Sequence, residues 1–159
     1  QNSFKRDIAK IKWVSKKNLH LTIKFLGEVD KNKLEQIYNL LSKVRLKSFK
    51  ITLNKIGVFS QGNLIKVIWI DVIPTEKVID LQRNIDYQLI NLFSSETNFT
   101  SHITLGRVKL LKDRKEMIQI INNINIEKIE FEVNSFNLFE SSLTKDGPKY
   151  KILRKYFPW

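Results

Sequence analysis

The chain reads as an α+β protein, and three features of its patterning say so. Apolar positions switch repeatedly between helical spacing and strand alternation, turn residues break the strand-like runs at short intervals, and the order of elements in the first half recurs in the second. With 159 residues, 42% of them hydrophobic, and no low-complexity segment, residues 1–159 are expected to form a single domain with two lobes.

Each element has its own reason. Phe4, Ile8 and Ile11 recur at helical spacing and predict the end of a first helix, followed by a turn over Ser15 to Asn18. Leu19 to Leu26 alternates as a strand: Leu21, Ile23 and Phe25 share the core face, and His20, Thr22 and Lys24 share the other. Asp30 is a candidate N-cap for a helix whose stripe is Leu34, Ile37, Leu41 and Val44. Phe49 to Leu53 and Leu64 to Val72 read as strands, joined through a loop holding Ser60, Gln61, Gly62 and Asn63.

The second half repeats this plan. Pro74 and Thr75 open a long helix with Val78, Leu81, Ile85, Leu89 and Leu92 as its buried stripe. Phe99 to Val108 is a strand with His102, Thr104 and Gly106 on one face and Ile103 and Leu105 on the other. A shorter helix around Arg114 to Asn122 follows. Two strands, about Ile129 to Glu140 and Tyr150 to Phe157, close the chain, with the turn supplied by Asp146, Gly147 and Pro148.

Both histidines are followed two residues later by threonine, in His20-Leu21-Thr22 and His102-Ile103-Thr104. Only seven threonines occur in the chain, so composition alone does not explain the coincidence. Residues i and i+2 of a strand point to one face, and each motif therefore presents an imidazole beside a hydroxyl. Two such pairs facing each other make an acid–base site. The bland alternatives are a structural histidine and an ordinary strand threonine.

Composition narrows the class. There are no cysteines, which removes disulfides, thiolate zinc sites and cysteine nucleophiles. Two histidines without an H-E-x-x-H pattern do not make a zinc centre, and Gly27, Gly57 and Gly62 do not make a phosphate-binding glycine loop, so neither metal nor cofactor is expected. No apolar run is long enough to span a bilayer and no leader opens the chain, so the expectation is a soluble, cytoplasmic protein without a membrane partner. A net charge of +12 favours a polyanionic partner, nucleic acid first, although an Ile-, Lys- and Asn-rich bias imposed by an AT-rich genome accounts for part of it.

The runs Asn18-Leu19-His20-Leu21-Thr22-Ile23-Lys24-Phe25-Leu26-Gly27 and Phe99-Thr100-Ser101-His102-Ile103-Thr104-Leu105-Gly106-Arg107 resemble the paired signatures of the 2H phosphoesterase superfamily. Within it, the chain is most similar to the RNA 2′,3′-cyclic phosphodiesterases, also called 2′-5′ RNA ligases. The stretch Ser135 to Ser141, with Leu143-Thr144, Gly147-Pro148 and Tyr150, carries the same likeness, which extends from about Lys12 to Pro158. Members of that family begin with a strand of the type Arg-x-Phe-Ile-Ala-Ile and a helix. Gln1 falls inside what should be that helix, so the family's first strand is expected to be missing from these residues.

The resemblance implies a bilobal fold with a pseudo-twofold, in which two antiparallel sheets face each other across a central cleft with helices outside. It implies metal-independent hydrolysis of RNA 2′,3′-cyclic phosphate ends to 2′-phosphomonoesters, with reversible 2′-5′ RNA ligation as a second activity. His102 would be the general base and His20 the general acid, while Thr22 and Thr104 would donate to phosphate oxygens. The chemistry agrees: the reaction takes a proton from water and gives one to the leaving oxygen, and imidazole is the side chain that titrates near neutrality, with an ordinary value of about 6.5. Arg107 stands where the family often has an arginine, but strict alternation puts it opposite His102, so a bulge or twist must intervene. Lys24 is a candidate RNA contact or a rim lysine. Tyr150 and Phe59 are candidate base-stacking platforms or packing residues, and Phe25 is expected in the core. The partner is expected to be RNA with a 2′,3′-cyclic phosphate or 2′-5′ linked end, tRNA fragments among them, and the protein a monomer. The rival from another class is a non-catalytic basic RNA-binding module that keeps the cleft.

Overall fold

The computed structural model describes residues 8–145 and 147–159. Its class is α+β with antiparallel sheets, as the sequence predicts. Seven strands form a five-stranded sheet in the order β1-β4-β3-β2-β5 and a two-stranded sheet β6-β7: β1 Ala9–Trp13, β2 Phe49–Gln61, β3 Leu64–Ile73, β4 His102–Leu111, β5 Glu130–Val133, β6 Phe136–Thr144 and β7 Gly147–Tyr156. The helices are α1 Leu34–Leu41, α2 Thr75–Leu89 and α3 Arg114–Asn123. Among the described residues no helix is long and apolar enough to cross a membrane. The chain divides into two compact units.

The first unit comprises Gln1–Thr22, Thr52–Ile73 and Thr100–Glu130. Its core gathers Ile8, Ala9, Ile65, Ile68, Met117 and Ile121, with Ile11, Trp13 and Val108 packed around them. Ile68 and Met117 are fully buried, and truncating a side chain like Ile68 to alanine costs about 2–5 kcal/mol. Asp113 caps α3 by accepting the Glu116 N–H at 2.9 Å, which fixes where that helix starts. The helix expected through Ile8 and Ile11 is instead strand β1, paired with β4. A spacing of three fits either element over so short a run, and Lys10 and Lys12 point outward while Ala9 is buried, the alternation of a strand. Phe4 lies outside the described residues.

The second unit comprises Ile23–Ile51, Pro74–Phe99 and Phe131–Trp159. Ile37, Leu41, Val44 and Leu46 meet Leu81, Ile85, Leu89 and Tyr156, so the stripes read from α1 and α2 do form its core. Tyr156 stacks on Phe136 with ring centroids 4.7 Å apart. The single strand expected from Ile129 to Glu140 is two, β5 and β6, interrupted at 134–135. The expected turn residue Asp146 lies outside the described residues, while Gly147, at φ 128°, and Pro148 open β7.

The strand expected over Leu19 to Leu26 survives only as a bridge at Leu21. Immediately afterwards the chain passes from the first unit, whose first segment ends at Thr22, to the second, whose first segment begins at Ile23. The alternation fails with it. Ile23 and Leu26 pack on the second core, but Phe25, expected to be buried, is 82% exposed.

Candidate active site

The two motifs meet on the first unit. Leu21 and Ile103 form an antiparallel bridge, so His20 lies across from Thr104 and Thr22 across from His102. Leu21 and Ile103 take one face, which leaves both imidazoles and both threonines on the other. In a regular pair of this kind the two histidines stand on a diagonal, with backbones about 7–8 Å apart.

Each imidazole is held in the same way. His20 Nδ1 lies 2.7 Å from the carbonyl oxygen of Asn18, and His102 Nδ1 lies 2.7 Å from that of Thr100. A carbonyl only accepts, so each Nδ1 carries a proton and donates it. The tautomer is thereby fixed, and Nε2 becomes the nitrogen that gains or loses a proton. The partner in both cases is the backbone two residues upstream, a contact that any side chain at that position would supply. For that reason nothing in the sequence announced it.

His102 has a second support. It opens β4 and is in register with Asp71 of β3, while Trp69 is in register with Thr104 and with Gly57. Phe59 meets the His102 ring edge-on, with centroids 4.9 Å apart and planes at 89°, and Trp69 lies 6.0 Å from His102 and 5.1 Å from Phe59. Edge-to-face contacts of this kind favour one ring orientation. Phe59 therefore packs against His102. A Cβ at Gly57 would fall inside the Trp69 ring, so this glycine makes room for the indole. Trp69 Nε1 is buried and meets no hydrogen-bond partner among the described residues. Sequence reasoning missed both Trp69 and Gly57, because their importance comes from cross-strand register. Asp71 is directed at β2, accepting from the Lys55 N–H at 2.7 Å and from Asn54 Nδ2 at 3.3 Å.

A bulge settles the position of Arg107. Ile68 pairs with Gly106 but Trp69 pairs with Thr104, so Leu105 is an extra residue in β4. Beyond it the parity inverts. Arg107 pairs with Val67, which shares the face of Trp69, and so joins the face of His102 and Thr104. Gly106 moves to the core side, where a Cβ would strike Ile11 and Trp13, so the expectation that Gly106 shares the His102 face is overturned. The levels of Thr104 and Arg107 are two β3 residues apart, Trp69 and Val67, about 7 Å along the strand.

Lys24 does not reach outward as expected. Its side chain is 6% exposed and its ammonium is bound by Asp86 and, at 2.7 Å, by the Ser94 carbonyl. Asp86 also accepts from Gln82 Nε2 at 2.7 Å and from the Glu96 N–H at 2.8 Å. Burial pushes the Asp86 carboxyl up, but the Lys24 hydrogen bond, with those from Glu96 and Gln82 and the Lys24 charge, outweighs it and holds the carboxyl below its ordinary value. Lys24 is thus a structural cation of the second unit. Tyr150 belongs to that unit too, where its ring meets Phe139 edge-on with centroids 6.0 Å apart and stays partly exposed. Among the described residues no three His, Asp, Glu or Cys side chains group so as to hold a metal ion.

The model of the LigT-like phosphoesterases matches residues 1–69 and 70–150, nearly the whole chain. The chain belongs to that family. It is 38% identical over 148 residues to the RNA 2′,3′-cyclic phosphodiesterase of Methanocaldococcus jannaschii, an alignment covering 92% of this chain and 84% of that relative. It is 39% identical over 144 residues to the protein of the same name from Thermotoga maritima, covering 89% and 76%. A crystal structure from Thermus thermophilus superposes with a TM-score of 0.79 at 26% identity, covering 96% of this chain and 84% of that one. The phosphoesterase fold expected from the paired motifs is therefore the fold this chain has.

Proposed function

We propose that this phosphoesterase opens 2′,3′-cyclic phosphate ends of RNA to 2′-phosphomonoesters, with His102 as base and His20 as acid. That it is a cyclic phosphodiesterase follows from its family and from relatives that carry this name. The observation that supports the two-histidine reading is the pairing of the motifs about Leu21 and Ile103, with each Nδ1 committed to a carbonyl.

The steps follow from that arrangement. His102 Nε2 takes a proton from water as the water oxygen attacks phosphorus. The bond from phosphorus to O3′ breaks, and His20 Nε2, protonated beforehand, gives its proton to O3′. Each transfer is worth about 10²–10⁴-fold. Thr22 and Thr104 hydroxyls and the Arg107 guanidinium stabilise the charge that develops on the non-bridging oxygens. With the 5′-hydroxyl of a second RNA in place of water, the same displacement forms a bond from O5′ to phosphorus as the bond to O3′ breaks, His102 taking the hydroxyl proton and His20 protonating O3′, and so joins the ends through a 2′-5′ linkage.

The test is hydrolysis of a nucleoside 2′,3′-cyclic phosphate by protein treated with EDTA. Turnover to the 2′-phosphate at the untreated rate supports the reading. Full loss restored by zinc or magnesium contradicts it, and binding without turnover would favour a non-catalytic module.

A further inference from the structure

The register that brings Arg107 onto the His102 face brings a second cation with it. Lys12 of β1 pairs with Arg107, Arg107 with Val67, and Val67 with Phe59, so these four residues form one row across the sheet. Directly opposed residues share a face, and this row lies on the face of His102 and Thr104. Lys12 stands one strand further out than Arg107, about 5 Å away, on the terminal strand of the sheet. Both side chains are exposed, and among the described residues no carboxylate pairs with either. A cation without an internal partner, beside an arginine and in line with the catalytic pair, suits a second phosphate better than it suits the fold.

We propose that Lys12 binds the phosphate next to the cyclic end, so that the site takes an RNA strand in preference to a mononucleotide. This rests on the function proposed above. The terminal phosphate would sit between the imidazoles with Arg107 beside it, and the strand would leave over Lys12 towards the β1 edge. A backbone contact of this kind carries no base information, so the preference is for chain length rather than sequence.

The experiment compares a nucleoside 2′,3′-cyclic phosphate with a hexaribonucleotide bearing the same end, for wild type, Lys12→Gln and Lys12→Arg. We expect the KM advantage of the hexanucleotide over the mononucleotide to shrink about fivefold in Lys12→Gln and to return in Lys12→Arg. The salt dependence of hexanucleotide affinity should lose one phosphate contact, a slope change of about 0.7 in log K against log salt. An unchanged ratio of the two KM values, or an unchanged salt slope, overturns the proposal. The slope is also measured by direct binding of the 2′-phosphorylated hexanucleotide. Failure of the wild type to turn over either substrate would therefore strike the catalytic reading, while the binding slope still decides the role of Lys12.

Discussion

Leu21 and Ile103 pair as an isolated antiparallel bridge, and through it the two His-x-Thr motifs become one site. The bridge sets His20 across from Thr104 and His102 across from Thr22, so each imidazole has a hydroxyl from the other motif as its facing neighbour. The pseudo-symmetry of the chain is sharpest at this point, since each ring also donates Nδ1–H to the carbonyl two residues before it at the same 2.7 Å. His102 is in addition flanked by Phe59 and Trp69.

Gly57→Ala should show what that aromatic support does. Its methyl group would displace the Trp69 ring, costing about 1–3 kcal/mol of stability and loosening the orientation of His102. The expected result is a lower kcat with KM little altered, measured alongside the melting temperature. An unchanged kcat would show that Trp69 and Phe59 do not position the imidazole.

The Lys24–Asp86 pair should behave as a structural ion pair. Asp86→Asn leaves a buried ammonium uncompensated, at a cost of about 3 kcal/mol, and the melting temperature should fall by about 10 °C. The pair also sets an acid limit. The folded carboxyl is held below its ordinary value, so its contribution is present above the unfolded value of about 3.9 and is lost as pH falls through the folded one. Stability measured from pH 6 down to 2 should drop less steeply in Asp86→Asn than in wild type. Equal slopes would mean that the pair adds nothing.

Tyr156 gives the alkaline counterpart. Burial pushes its hydroxyl up to about 12, so its contribution is complete below the unfolded value of about 10 and is lost as pH rises towards 12. Of the four tyrosines, one should ionise late in a spectrophotometric titration, and Tyr156→Phe should remove that late step. A titration in which all four ionise together would contradict the burial assigned to this ring.

Much of this was legible beforehand. The stripes of α1 and α2 are read correctly because a helical face buries at fixed spacing whatever it packs against, and the His-x-Thr pairs are legible because i and i+2 share a face in any extended segment. Strand alternation failed where tertiary context intervened. The run after Leu21 crosses from one unit to the other, which exposes Phe25 and buries Lys24 in an ion pair. The Leu105 bulge swaps Gly106 and Arg107 between faces, and only the resemblance, with an arginine at that place, hinted at it. Trp69 and Lys12 were invisible because register between strands far apart in sequence is not written in either strand alone.

The most direct test of the two-histidine account uses two substrates and two variants, His20→Ala and His102→Ala. On the 2′,3′-cyclic phosphate, each variant should lose about 10²–10⁴-fold in kcat, and the double variant should be barely worse than either, since both groups act in one step. On a phosphodiester whose leaving group is p-nitrophenolate, which departs without a proton, His20→Ala should recover to near the wild-type rate while His102→Ala stays impaired. Rescue of His102→Ala instead would exchange the two roles, and near-normal turnover of the cyclic phosphate by both single variants would contradict the mechanism.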